Sequence, residues 1–217
     1  MNAHDHIVFI VDDDARIREA LFDLLSSYDL NAVTFASASQ YLAFPRPDVA
    51  ACLLLDVELP DMNGLELQTK LASGPSGVPS PQIVFITGHG DIPSSVRAIK
   101  SGAVDFLTKP LQESELMTAI RAALAQNTEA RRQYAAFTEL HARYASLTPR
   151  ERQVLPLVIG GLLNKQVAAE LGISEITTQI HRGNVMQKMQ AGSFAELVRM
   201  AALLQIPITH TRPAKHV

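Results

Sequence analysis

Five short apolar runs, at 7–11, 32–35, 52–55, 83–86 and 104–107, punctuate the first 120 residues. Amphipathic stretches at 16–28, 39–44, 65–72, 93–101 and 113–124 separate them. Runs with so few polar residues suit strands buried on both faces, as in a parallel sheet covered by helices. Five consecutive βα units predict a doubly wound α/β domain. In that architecture ligands gather beyond the carboxyl ends of the strands.

Those ends carry unusual residues. Asp12-Asp13-Asp14 follows the first run, Asp56 the third, Thr87 the fourth, and Thr108-Lys109-Pro110 the fifth. A carboxylate at the end of a buried strand is unfavourable unless a cation or a reaction uses it. By itself the Asp12-Asp13-Asp14 cluster reads first as a helix cap, with a metal site or the Asp-x-Asp of a phosphohydrolase as alternatives. With the other strand ends added, the set fits phosphoryl transfer to a carboxylate: Asp56 as nucleophile, Asp12 and Asp13 as ligands of Mg2+, and Thr87 and Lys109 as donors to phosphoryl oxygens. Asp14 is extra to the pair and suits a cap of the first helix. Cys52 lies inside a strand and reads as an inert apolar residue. The loop at 73–81 is rich in breakers and is expected to be mobile. His89, between two glycines, shapes a loop, and the histidines show no metal-ligand spacing.

The rest of the chain differs. Residues 113–144 hold no Gly or Pro. Ile120, Ala123, Asn127, Ala130, Tyr134, Phe137, His141 and Tyr144 recur with 3–4 spacing along this stretch. They mark either a dimerising seam or a linker helix packed on its own chain, with Asn127 and His141 interrupting the seam. Beyond it, Thr148, Pro149 and Glu151 compose an N-cap, first position and capping-box partner. Helices follow over 150–159, 165–171, 174–189 and 194–204. A short turn holding Gly172 joins the second and third, which makes a helix-turn-helix. Charge divides in the same way. Residues 1–142 hold 10 Lys and Arg against 18 Asp and Glu, a net −8, while residues 143–217 hold 9 against 4, a net +5. An acidic front and a basic back imply different partners, nucleic acid being the candidate for the back.

Four segments carry a resemblance to the receiver domain of bacterial two-component response regulators: Val11-Asp12-Asp13-Asp14, Leu55 to Gly64, Ile86-Thr87-Gly88-His89-Gly90 and Lys109-Pro110. The resemblance implies a flavodoxin-like (βα)5 domain over 5–121. It implies that a sensor histidine kinase phosphorylates Asp56, and that Asp12, Asp13, Asp56 and the Glu58 backbone carbonyl hold Mg2+. It further implies that Lys109 pairs with the phosphoryl group, that Thr87 and Phe106 form the switch, and that the bond before Pro110 is cis.

Residues 147–204 resemble the LuxR-type domain of the FixJ and NarL kind. Leu147 to Arg152, Asn164 to Ala168, Leu171 to Ser174, His181-Arg182 and Val185 to Met189 carry that likeness. An all-α helix-turn-helix domain is therefore expected over 144–209, joined to the first by a helical linker at 122–143. The third helix should enter the major groove, with Gln179, Ile180 and Gly183 toward base edges. Thr178, Val185 and Met189 should pack inward. Lys165, Thr177, Arg182 and Lys188 read as phosphate contacts. Asn164 reads as a cap of the second helix beside the DNA backbone, Ser174 as the cap of the third, and His181 lies on the same interface.

The function implied is that of a phosphorylation-controlled DNA-binding regulator that forms a homodimer, binds promoter DNA and contacts RNA polymerase. It is not an enzyme beyond its own phosphotransfer and dephosphorylation. Two alternatives are a Mg-dependent phosphohydrolase, which leaves Asp56 and the helix-turn-helix unexplained, and a ligand-sensing LuxR-type regulator, which needs a pocket where the carboxylates lie. No run approaches the ~18 apolar residues of a membrane span, and the N-terminus lacks the form of a signal peptide. A cytoplasmic protein without a membrane partner is expected.

Overall fold

The computed structural model describes residues 6–72, 77–88 and 92–209. His89 and positions 73–76 of the breaker-rich loop lie outside them. The chain divides into two compact units, Met1–Tyr134 and Ala135–Val217.

The first unit alternates strands and helices. In chain order these are β1 (His6–Val11), α1 (Ala15–Ser27), β2 (Ala32–Phe35), α2 (Ala38–Ala43), β3 (Ala50–Asp56), α3 (Gly64–Ala72), β4 (Gln82–Thr87), α4 (Ile92–Lys100) and β5 (Asp105–Thr108). Helix α5 (Glu113–Ala145) follows. The sheet is parallel throughout, in the order β2-β1-β3-β4-β5. The jump between β1 and β3 places the strand-order reversal beside both, which is where a doubly wound sheet forms its crevice.

Side chains alternate between two cores because the strand period is two. Val8, Ile10, Cys52, Leu54, Val84 and Ile86 face Leu21 and Leu25 of α1 and Leu116, Ile120 and Ala123 of α5. Phe9, Val11, Leu53, Leu55 and Phe85 face Tyr41 of α2, Leu67 and Leu71 of α3 and Ala98 of α4. Every residue of β3 is buried, so the central strand carries no exposed face, as its apolar run required. Cys52 is among them, and burial pushes its thiol pKa well up.

Helix α5 corrects one expectation. Ile120 and Ala123 are consumed by the core of their own sheet. Asn127 does not interrupt a seam: it is fully buried. Its Oδ1 accepts from the Ala51 N–H at 2.9 Å and its Nδ2 donates to the Ser80 carbonyl at 2.7 Å, so both ends of the amide are satisfied. The early half of the repeat is thus intramolecular packing, while Tyr134 and Phe137 are exposed.

The second unit holds α6 (Pro149–Ile159), α7 (Asn164–Leu171), α8 (Glu175–Met189) and α9 (Phe194–Leu203). The Thr148–Glu151 capping box is present, with the Thr148 N–H donating to Glu151 Oε2 at 2.8 Å and the Glu151 N–H to Thr148 Oγ1 at 3.3 Å. Gly172 ends α7 at φ 63°, a left-handed conformation that glycine adopts without steric penalty. Ser174 then caps α8 by accepting from the Thr177 N–H at 3.0 Å. Leu155, Ile159, Val185, Met189, Leu197 and Ala201 close the core between α6, α8 and α9.

Candidate functional site

Parallel register brings the strand-end residues together. Asp12 follows β1, Asp56 ends β3, Thr87 ends β4 and Lys109 follows β5. Carboxylate oxygens of Asp12, Asp13 and Asp56 all lie within 4.8 Å of one another. Asp12 and Asp56 are buried and Asp13 is exposed. The Lys109 ammonium donates to Asp12 Oδ2 at 2.7 Å and to Asp56 Oδ2 at 2.6 Å.

Burial pushes the Asp12 carboxyl above its ordinary range, against the pull of Lys109 and of the Asp14 N–H that Asp12 accepts at 2.9 Å. Burial also works against the Lys109 charge, but the two carboxylates outweigh it and hold its pKa above the usual lysine range. Three carboxylates therefore face one ammonium. When all are ionised the deficit equals the charge of one divalent cation. Hard oxygen donors in this number suit an ion that keeps several of its waters, so the residues present fit a metal of that kind.

The remaining predicted residues fall around this centre. Glu58 is exposed, and its N–H donates to Asp56 Oδ1 at 3.0 Å, which fixes the carboxylate's orientation. Thr87 is buried at the sheet edge of the crevice, and its carbonyl accepts from the Lys109 N–H at 2.8 Å. Phe106 is half-buried with its ring 6.0 Å from that of Phe85. The Lys109–Pro110 peptide is cis. Asp14 caps α1 by accepting from the Arg16 N–H at 2.9 Å.

Three residues of this site had no assigned role in the sequence. Arg18 donates from Nη1 to the Asp12 carbonyl at 2.7 Å and so holds the backbone of one of the three clustered carboxylates. Asp61 accepts from the N–H groups of Ala38 and Ser39 at 3.2 and 2.8 Å, tying the loop after Asp56 to the start of α2. Gly64 has no room for a side chain: a Cβ there would lie 2.4 Å from the Asp56 carbonyl oxygen. Arg18 and Asp61 bind backbone atoms of the loop after β1 and of the start of α2, pairings that spacing does not reveal.

In the second unit, Thr178, Val185 and Met189 are buried, as expected of the inner face of α8. Gln179, Ile180 and Gly183 are exposed, Ile180 at 57%. A Cβ on Gly183 would meet nothing within 4 Å. Lys165 is exposed, while Thr177 is half-buried with its hydroxyl 2.8 Å from that of Ser174. The Nδ1 of His181 is buried and has no hydrogen-bond partner among the described residues. Asn164 is not a cap. Leu163 occupies that position, its N–H donating to Gln166 Oε1 at 2.8 Å, and the Asn164 side-chain Oδ1 instead accepts from Arg182 Nη1 at 3.2 Å. Lys188 is already engaged within the chain. Its ammonium is 2.7 Å from Glu151 Oε2, because the buried capping-box carboxylate needs a counter-charge.

Both units have counterparts among known proteins. Residues 8–121 match the family described as response regulator receiver domain, and residues 145–201 match the one described as bacterial regulatory proteins, luxR family. Nodulation protein W of Bradyrhizobium diazoefficiens is 49% identical over 94% of this chain and 89% of its own length. Transcriptional regulatory protein FixJ of Azorhizobium caulinodans is 42% identical over 90% of this chain and 92% of its own. Among solved structures, response regulator StyR is similar with a TM-score of 0.81 and 46% identity, covering 91% of this chain and 98% of that one. Among the described residues no helix is long and apolar enough to cross a membrane.

Proposed function

The chain belongs to the two-component response regulators that join a receiver domain to a luxR-family DNA-binding domain, and from that membership we propose how its signal is written and used. Residues 5–121 receive a phosphoryl group on Asp56 from a sensor histidine kinase, 122–143 link, and 144–209 bind promoter DNA. The observation that carries this reading is the gathering of Asp12, Asp13 and Asp56 within 4.8 Å, with Lys109 bridging two of them.

A Mg2+ held by Asp12, Asp13, Asp56 and the Glu58 carbonyl would draw charge from the phosphoryl oxygens. An oxygen of Asp56 forms the new O–P bond as the bond to the kinase imidazole breaks, and the nitrogen keeps that electron pair. The Glu58 N–H keeps Asp56 oriented through the transfer. Lys109, already within reach of Asp56, then donates to a phosphoryl oxygen, and Thr87 adds its hydroxyl. The new charge and acceptors bias Thr87 and Phe106 toward a second arrangement, which promotes homodimerisation. The chain turns over no external substrate; it takes part in its own phosphotransfer and dephosphorylation only. It works in the cytoplasm.

On the output side, Gln179, Ile180 and Gly183 face base edges, Gln179 suiting adenine and Ile180 a thymine methyl. Lys165, Thr177 and Arg182 contact phosphates, with Asn164, Ser174 and His181 beside them. RNA polymerase is the partner through which bound dimers act.

The test is labelling with acetyl phosphate and Mg2+, followed by intact-mass analysis. Asp56→Asn should abolish the added phosphoryl group. Labelling that survives Asp56→Asn but disappears in Asp12→Asn would move the nucleophile to the first cluster and overturn the reading.

A further inference from the structure

Arg182 is gripped from two sides by groups outside its own helix. Its Nη1 donates to Asn164 Oδ1 at the start of α7, at 3.2 Å. Its guanidinium carbon lies 5.2 Å from the centroid of the Phe194 ring, the first residue of α9. Phe194 is 38% exposed, whereas Leu197 one turn later is fully buried. Core packing therefore does not account for an aromatic residue at 194; what its ring face meets is a cation. A guanidinium has five N–H donors, and Asn164 takes one. Enough of the fork is left for a two-pronged grip on a phosphate.

A long side chain on a helix surface loses rotamer freedom when it engages a ligand. Partners that fix it beforehand remove part of that loss from binding. We propose that Phe194 and Asn164 are positioning residues that pre-orient Arg182 toward a DNA phosphate. This rests on the reading of Arg182 as a phosphate contact. Because a phosphate carries no sequence information, the effect is on affinity for any duplex.

The experiment measures binding of the full-length chain to a fluorescein-labelled duplex of random sequence, by anisotropy over a range of salt. Arg182→Ala should lower the slope of log affinity against log salt by about 1. Phe194→Leu, which keeps apolar bulk but removes the ring, should weaken binding about threefold. Phe194→Tyr, which restores the ring, should bind like the parent. Asn164→Ala should act in the same direction as Phe194→Leu. In an Arg182→Ala background neither Phe194→Leu nor Asn164→Ala should cause further loss, and thermal melting should show all variants folded. An unchanged salt slope for Arg182→Ala would remove the phosphate contact and the inference with it. A lowered slope, combined with a Phe194→Leu effect that is absent or equal in both backgrounds, would leave the phosphate contact standing and sink the positioning role alone.

Discussion

Replacing Asn127 with alanine should destabilise the receiver sheet by about 2–4 kcal/mol. The amide is fully buried and bridges two backbone groups far apart in sequence, the Ala51 N–H at 2.9 Å and the Ser80 carbonyl at 2.7 Å. A buried polar group left without a partner loses about 1–3 kcal/mol each. Ala51 is buried and its N–H should bear the full loss, whereas Ser80 is half-buried and water can meet part of its need. The two together give the stated range. With a urea dependence of about 2 kcal/mol per molar, the unfolding midpoint followed by circular dichroism should fall by about 1–2 M. Asn127→Leu separates bonding from packing: it keeps the volume, loses both bonds, and should be destabilised comparably. Amide exchange supplies the local readout, since protection at Ala51 should drop in both variants. A midpoint shift below roughly 0.3 M with unchanged exchange at Ala51 would refute the reasoning, because the two backbone groups would then not depend on the amide.

Three further expectations follow from the same geometry. Gly64→Ala places a Cβ 2.4 Å from the Asp56 carbonyl oxygen, so the loop must shift; the protein should lose about 1–3 kcal/mol and label more slowly with acetyl phosphate, and unchanged melting and labelling would count against it. Asp13→Asn removes one of three carboxylates and should weaken Mg2+ binding by about tenfold in titration calorimetry; equal affinity would exclude Asp13 as a ligand. Glu151 is desolvated, yet its bonds to Lys188 and to Thr148 hold its pKa below the ordinary 4.5. A depressed carboxylate stabilises the fold above its unfolded pKa and loses that contribution as pH falls through the folded value. Parent and Glu151→Gln should therefore differ most in melting temperature at neutral pH and converge as pH drops below about 4.5, and a difference that does not change with pH would contradict the assignment.

What the sequence disclosed depended on how local the signal was. The strands of the sheet were legible because burial on both faces leaves a run with hardly a polar residue, as in Cys52 to Leu55. The crevice was legible for the complementary reason, since Asp12, Asp56 and Lys109 interrupt apolar surroundings where ionised groups are unfavourable. The capping box of α6 and the Gly172 turn were written within a few neighbouring residues. Asn127, Asn164 and Lys188 were misjudged or incomplete because their partners, Ala51 and Ser80, Arg182, and Glu151, are brought near only by the fold. An amide at a helix start resembles a cap, and a lysine on a basic helix resembles a phosphate contact, until tertiary neighbours are known.

Helix α8 keeps Thr178, Val185 and Met189 inward while Gln179, Ile180 and Gly183 face outward, Gly183 with empty space where a side chain would be. Selection can therefore act on the two sides independently. If the outer positions read base edges as proposed, substitutions there redirect the protein to other promoters at little expense to folding, so a duplicated copy of such a gene would acquire a new regulon in few steps while its fold and its response to the kinase stay unaltered.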